Sequence, residues 1–386
     1  MLHKITRVST SKLTFALSLL LLFAFAALSA RADDIHFTFH SSAGWIDQDL
    51  TSLTGGTLPN PGTGVVAFNT IDNGHLHVYY STTDQHVHQL YFNGTNWIDQ
   101  DLTAIASGPL SLGFGGISGF TIGHNQHIFY LGADLHVHQL YSVGASWADQ
   151  DVTVLAGGPV TDFDSLVAYP TTPDNHFHVF YLANNSNDLH ELNFNGSSWS
   201  DLDLRVVAHA LPATRGWMAG FAVGTQQHLF FGAYSPKDKL HFAHLAFKNS
   251  KWINEDLTAK VHGLPLSPAA GITAFSVSAN QIEAYCVTND MDVHQFTWKN
   301  NAWTDEDLDN NQPDNSINQM VAFRTIPNNQ FHLFYPPNDL YDLTFNGHSW
   351  SDTDLTVLTG GGIPNGSGGM AGFAIKNLQY VFYVAE

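Results

Sequence analysis

The chain has 386 residues, 44% of them hydrophobic, 13% aromatic and only 12% charged, with a formal net charge of −20. All 34 acidic residues but only ten of the 14 basic ones lie after residue 32, so residues 33–386 carry −24, which argues against nucleic acid or an anionic membrane as partner, since both need a positive face. Cys286 is the single cysteine, so no internal disulfide can form, and a chain of this length can hold itself together with a core.

In chain order, Lys4, Arg7 and Lys12 precede an apolar stretch from Phe15 to Leu28, and Ala30-Arg31-Ala32 supplies a small-x-small cleavage pattern. Residues 1–32 are therefore expected to be a signal peptide, and 33–386 a secreted, extracellular or periplasmic domain. An uncleaved anchor is the alternative, although the run is short for a span and no later stretch approaches 18 apolar residues. No membrane insertion of the mature chain is expected.

Next comes a fragment, His36 to Thr51, with two short β-type runs. The first complete unit follows, with four such runs: Gly64–Thr70, His75–Thr82, Val87–Asn93 and Trp97–Thr103, here named A, B, C and D. Each is rich in Val, Tyr, Phe, His and Thr and is bounded by turn residues. The unit then recurs. Trp45, Trp97, Trp147, Trp199, Trp252, Trp303 and Trp350 are spaced by 52, 50, 52, 53, 51 and 47, and each opens a phrase such as WIDQDLT. A period near 50 with β patterning predicts a propeller, four antiparallel strands to a blade. Outside the leader no helical periodicity competes. The chain ends on Gly369 to Glu386, which carries only an A and a B run.

The expected fold is all-β: a seven-bladed β-propeller of four-stranded antiparallel blades, closed by pairing of N- and C-terminal half-blades. Closure leaves no free sheet edge between head and tail. An open solenoid would need two capped edges. Gly55–Gly62 and Gly360–Gly369 read as blade linkers, so 33–386 is one domain. Trp217 falls on strand A of the fourth unit as a core residue.

Strand B carries His77, His127, His178, His228, Glu283, His332 and Tyr380 at one position. Strand C carries His36, His88, His138, His190, Ala243, His294 and Tyr341 nine residues before the landmark Trp. A hairpin centred on Thr82 and Thr83 would oppose His77 to His88, His127 to His138, His178 to His190 and Tyr380 to His36. His75/His77, His86/His88, His136/His138 and His176/His178 are His-x-His pairs. Zinc wants three or four ligands; two opposed histidines supply two and the third is not evident, so no metal is expected and the imidazoles read as neutral, hydrogen-bonded packing. The Asp-x-Asp of strand D (Asp47/Asp49, Asp99/Asp101, Asp149/Asp151, Asp201/Asp203, Asp305/Asp307, Asp352/Asp354) reads as a solvated outer strand. It lacks the oxygen ligands and Gly turn of a calcium loop.

On these residues the B-to-D phrase resembles the fucose-binding propeller lectins of fungi and bacteria. There, strand B reads Ile-Arg-Val-Tyr, strand C carries a Glu eight residues before a Trp, and that Trp with an aromatic five before it stacks on sugar from the neighbouring blade. The resemblance covers nearly all of 33–386 at the level of pattern. It puts the arginine on His77, His127, His178, His228, Glu283, His332 and Tyr380, so no unit keeps it. It puts the Glu on Gln89, Gln139, Glu191, His244, Gln295, Asp342 and Phe37. The stacking aromatic falls on Phe92, Phe194, Phe247, Trp298 and Phe345, with Trp97, Trp147, Trp199, Trp252, Trp303 and Trp350 beside them. The third unit (His178, Glu191) and the sixth (His332, Asp342) keep the pattern best.

The resemblance implies a secreted, multivalent carbohydrate-binding protein with glycans, fucosylated or other, as partners and no cofactor. The competing reading is a protein-interaction scaffold in which the aromatics and histidines are structural. Catalysis is not expected: no unit has a unique acid pair or nucleophile, and the sialidase Asp-box is absent.

Overall fold

The computed structural model describes residues 33–385 except 42, 71–74, 115, 162–164, 185–187, 236–238, 269–270, 309–318, 337 and 365–367, and without the side chains of 215 and 217. The expected signal peptide and the Trp217 ring lie outside the described residues. Among the described residues no helix is long and apolar enough to cross a membrane.

Seven sheets of four antiparallel strands form, each in the order A-B-C-D. Neighbouring A strands touch all the way round, with Met370–Ile375 meeting Val65–Asn69 to complete the circle. They enclose a central channel of about 320 Å³ lined by small and branched residues such as Val65, Ser118, Ala168, Gly220 and Ala322. The seventh sheet joins the two ends of the chain. Its A and B strands are Met370–Ile375 and Leu378–Ala385; its C and D strands are Asp34–Ser41 and Gly44–Asp49. Asp34 lies opposite Ala385 and Phe39 opposite Tyr380. Phe37 is fully buried between Phe39 and Phe382, with ring centroids at 4.8 and 4.6 Å.

The landmark tryptophans hold the blades to one another. Each ring meets, edge to face, an aromatic ring on strand B of the preceding blade: Trp147 on Tyr79, Trp199 on Phe129, Trp252 on Phe180, Trp303 on Phe230, Trp350 on Tyr285, Trp45 on Phe334 and Trp97 on Phe382. Centroids are 5.9–6.3 Å apart and the planes cross at 70–88°. This is the favoured geometry of two quadrupoles. It gives the seventh blade the same seam as the rest.

Strand D is shorter than the sequence suggests. In blade one it ends at Asp101, and Leu102–Ala106 forms a short helix. The second aspartate of five of the six Asp-x-Asp pairs is the cap: Asp49, Asp101, Asp151, Asp203 and Asp354 each accept the backbone N–H three residues on, as Asp256 does in blade four. Five residues span little more than one turn, too few to show a period of 3.6.

The hairpin register also differs from the expectation. Tyr80, not His77, opposes His88, and His77 opposes Tyr91. Likewise Tyr130 opposes His138, Tyr181 opposes His190 and Tyr383 opposes His36. In blade one the B–C turn is a three-residue loop closed by the Thr82 N–H on the His86 carbonyl (2.9 Å), with Gln85 left-handed at φ 69°, and blade two repeats it with Gly132 on His136 (2.9 Å) and Leu135 at φ 67°. That loop type shifts the pairing by an odd number and sends the two histidines to opposite faces of the sheet.

The strand C histidines instead reach sideways to strand D. Nδ1 of His36, His88, His138, His190 and His294 lies 2.7–3.0 Å from a carboxylate oxygen of Asp47, Asp99, Asp149, Asp201 and Asp305. The first aspartate of these five pairs is thus a partly buried acceptor rather than a solvated charge, whereas Asp352 is exposed as the outer-strand reading expects. Tyr130 and Tyr383 add their hydroxyls to Asp149 (3.1 Å) and Asp47 (2.8 Å). In blade four all three members change together, to Phe231, Ala243 and Asn254, which occupy the same register positions. The exchange leaves one group over: Asn254 donates to the His209 carbonyl at 2.8 Å, but its Oδ1 is buried with no hydrogen-bond partner among the described residues.

Candidate functional site

Because side chains alternate across a strand, each blade offers two faces to its neighbours. One carries the strand B position with the residue eight before the Trp; the other carries the Trp and its aromatic companion. A seam therefore sets the strand B position and its companion from one blade against the landmark Trp and its companion from the next; Trp147 and Trp45 have Ser142 and His40 as companions in place of a second aromatic carbocycle. Phe92 and Trp97, Phe194 and Trp199, Trp298 and Trp303, and Phe345 and Trp350 are directly opposed cross-strand pairs.

Most of these seams are shut. His77 and Gln89 are hydrogen-bonded (2.7 Å), but Gln126 of blade two reaches into the seam and takes both the Gln89 amide and the Tyr79 hydroxyl. His178 and Glu191 lie 2.6 Å apart and both are buried. His332 pairs with Asp342 at 3.2 Å, also buried. His228 stacks on His244 at 5.3 Å. Glu283 is enclosed by Gln281, Gln295 and Thr297, which all donate to it, and burial lifts its carboxyl above the usual range. At Tyr380 the polar partner is Phe37 and the seam is apolar. The two units whose sequences keep the lectin pattern best thus satisfy their polar groups internally.

The seam between blades two and three differs. His127 is the one residue of the seven at its position that is not buried. It lines a cleft of about 560 Å³ with Gln139, Tyr141, Gln150 and Leu155 on one wall and Phe177, Phe194, Ser197, Ser198 and Trp199 on the other. The polar wall is a directed relay. Gln150 donates to Gln139 Oε1, and Gln139 Nε2 donates to His127 Nδ1 at 2.8 Å. Accepting at Nδ1 makes the neutral ring an Nε2–H donor, and among the described residues nothing accepts from that nitrogen. Burial alone holds the His127 pKa down at about 4. The opposite wall is aromatic, with Phe194 and Trp199 centroids 5.3 Å apart and Phe177 5.1 Å from Phe194.

Sequence reasoning reached His127, Gln139, Phe194 and Trp199 but missed Phe177 and Gln150. Both were legible: Gln150 is the middle residue of its Asp-x-Asp, and Phe177 precedes His178 and so points to the opposite face.

No family model matches the sequence, and no curated protein matches it. Among solved structures the fold is similar to a lectin of Aleuria aurantia in complex with Fucα1-6GlcNAc, at 14% identity and TM-score 0.52, covering 76% of this chain and 94% of that one. Another structure from the same source, described as a six-bladed propeller with a novel fucose recognition mode, gives 14% identity and TM-score 0.53 over 76% and 95% of the two chains. A mutant of AofleA from Arthrobotrys oligospora gives 13% and 0.55 over 85% and 91%. The chain shares the propeller fold of these structures and has seven blades where the Aleuria lectin is described with six.

Proposed function

We propose that this is a secreted, non-catalytic carbohydrate-binding propeller whose principal pocket is the cleft between blades two and three. The observation that supports this most is the pairing of an aromatic wall, Phe194 and Trp199, with a fixed hydrogen-bond donor, His127 Nε2–H, across one open cleft. Apolar sugar faces stack on rings while hydroxyls need placed donors and acceptors. An imidazole offers fewer donors than a guanidinium, so the one open cleft binds a single sugar weakly. The lectin neighbours crystallised with fucosides make fucosylated glycans the first ligands to try.

A glycan array followed by titration of the best ligand tests this. Trp199→Ala is expected to weaken binding at least tenfold, about 1.4 kcal/mol, with the circular dichroism spectrum retained. Because His127 stays neutral until pH approaches 4, affinity is expected to be flat from pH 5 to 8. No glycan bound anywhere in that range would leave the scaffold reading, which the burial of the other six strand B positions favours.

A further inference from the structure

On the face of blade two turned away from the cleft, four metal-ligand atoms converge. The hairpin between strands B (Asn125–Leu131) and C (Val137–Val143) holds Asp134 and His136; His138 follows on strand C, and Asp151 closes strand D. Asp134 Oδ2 lies 3.1 Å from His138 Nε2 and 3.9 Å from His136 Nδ1, and His136 Nδ1 lies 2.6 Å from Asp151 Oδ2. All four ligand atoms fall within 4.8 Å of one another. A tetrahedron with bonds of about 2.0–2.1 Å has edges of roughly 3.4 Å, and the observed separations straddle that value.

Three further features prepare the site. His138 Nδ1 donates to Asp149 at 3.0 Å, and Tyr130 donates to the same carboxylate, so the Nε2 lone pair faces the other three ligands. A carboxylate behind a histidine is the usual way a ligating tautomer is fixed. Asp134 Oδ1 accepts the His136 N–H at 3.2 Å and Asp151 Oδ1 accepts the Val154 N–H at 2.8 Å, which leaves the second oxygen of each for the site. Gly132 keeps the space clear: a Cβ there would stand 2.5 Å from Asp134 Oδ1 and 3.3 Å from His138 Nε2.

Blade one repeats the set at the same spacing, as Asp84, His86, His88 and Asp101. There His88 Nδ1 is again held by a strand D carboxylate, Asp99, at 2.9 Å. His88 Nε2 is buried with no hydrogen-bond partner among the described residues, 4.0 Å from Asp101 Oδ2. His36 Nε2 of blade seven is also buried with no partner among the described residues, yet no second histidine stands two residues before it, so in blade one, as in blade two, it is the added His-x-His and turn aspartate that make a ligand set.

We infer that the B–C hairpin of blade two binds a divalent transition ion of the zinc class through Asp134, His136, His138 and Asp151, with Asp149 as the positioning residue for His138. Two imidazoles with two carboxylates suit zinc and its neighbours rather than calcium or magnesium, which prefer all-oxygen shells. The third and fourth ligands absent from the His-x-His pattern are the turn aspartate two residues before it and the helix-capping aspartate fifteen residues after His136. This site does not depend on the sugar reading, because it uses the other face of the blade.

The test titrates Zn²⁺ into the full chain after dialysis against EDTA, with Co²⁺ in parallel for its visible absorption. Wild type is expected to bind with a Kd of 10 μM or tighter, and the visible bands to report tetrahedral nitrogen and oxygen ligands. His136→Gln, at a partly exposed position, is expected to remove one bound equivalent while leaving the EDTA-treated melting temperature within 2 °C; Asp134→Asn is the second variant should His136→Gln not fold. His86→Gln serves as the control that leaves the blade two equivalent in place. No saturable binding below 1 mM, or a stoichiometry and affinity unchanged by both His136→Gln and Asp134→Asn, overturns the inference.

Discussion

Replacing Trp303 by alanine is expected to lower the unfolding free energy by about 3–5 kcal/mol, the range for emptying a buried indole site. The ring is 7% exposed and sits in the seam of blades four and five. It meets Phe230 at 6.0 Å, His244 at 5.4 Å and Trp298 at 5.5 Å, and its Nε1 donates to Glu255 Oε2 at 3.2 Å. Alanine abolishes the edge-to-face contacts and takes one donor from a carboxylate that also accepts from His244 and Lys260. The seam cannot collapse to fill the space, because the neighbouring blades are fixed by the closed ring. Urea unfolding measures the loss, with Val357→Ala as reference: that side chain is 76% exposed and its change should stay within about 0.5 kcal/mol. A deficit under 1 kcal/mol for Trp303→Ala would show that the seam rings are not what joins the blades.

The second large effect is acid sensitivity. Burial holds His77 and His127 down at about 4, and burial followed by the His244 charge holds His228 at about 3. Each takes up a proton near pH 6.5 once unfolded but not while folded. The stability they contribute is complete above pH 6.5 and is lost as pH falls towards their folded values. At pH 5 the loss is about 2 kcal/mol for each, or roughly 6 kcal/mol for the three together. A second group has the opposite sign. For His36, His88, His138 and His294, burial lowers the pKa but the facing aspartates more than offset it and the net shift is upward. Their contribution is complete below pH 6.5 and fades as pH rises through the folded values. Stability should therefore peak near pH 6.5, falling steeply on the acid side and gently on the alkaline side. Denaturant midpoints at pH 5, 6.5 and 8 measure both limbs, and His77→Gln with His228→Gln should flatten the acid limb. An acid limb of the same depth in that double variant would rule the buried imidazoles out as its cause.

What the sequence disclosed follows from how each feature is encoded. The seven sheets and their closure were readable because the Trp phrase recurs at nearly constant spacing and the half-units at Asp34 and Ala385 are complementary. Register was not readable, because Ser81 to His86 offers a two-residue turn at Thr82 and Thr83 as readily as a three-residue one at Thr83 to Gln85, and backbone conformation at Gln85 decides. The aromatic and polar partners of the cleft were readable from alternation and from the lectin resemblance. Which seam opens was not, since it depends on what fills the space: Gln126 plugs the first seam, whereas Glu191 and Asp342 turn inward to the histidines they accompany. The helix caps were hidden in Asp-x-Asp, where each aspartate has a different task.

The joining of Asp34–Ser41 to Leu378–Ala385 also sets an order of events during synthesis. Thr38 and Tyr383, which share a hydrogen bond across the joint, are 345 residues apart. Ile35, Phe37 and Phe39 must wait without a strand partner on one side until the ribosome has delivered the last eight residues of that pair. In a flexible chain, bringing ends so distant together would cost about 5 kcal/mol of entropy, which the folded blades between them reduce by holding the two ends side by side.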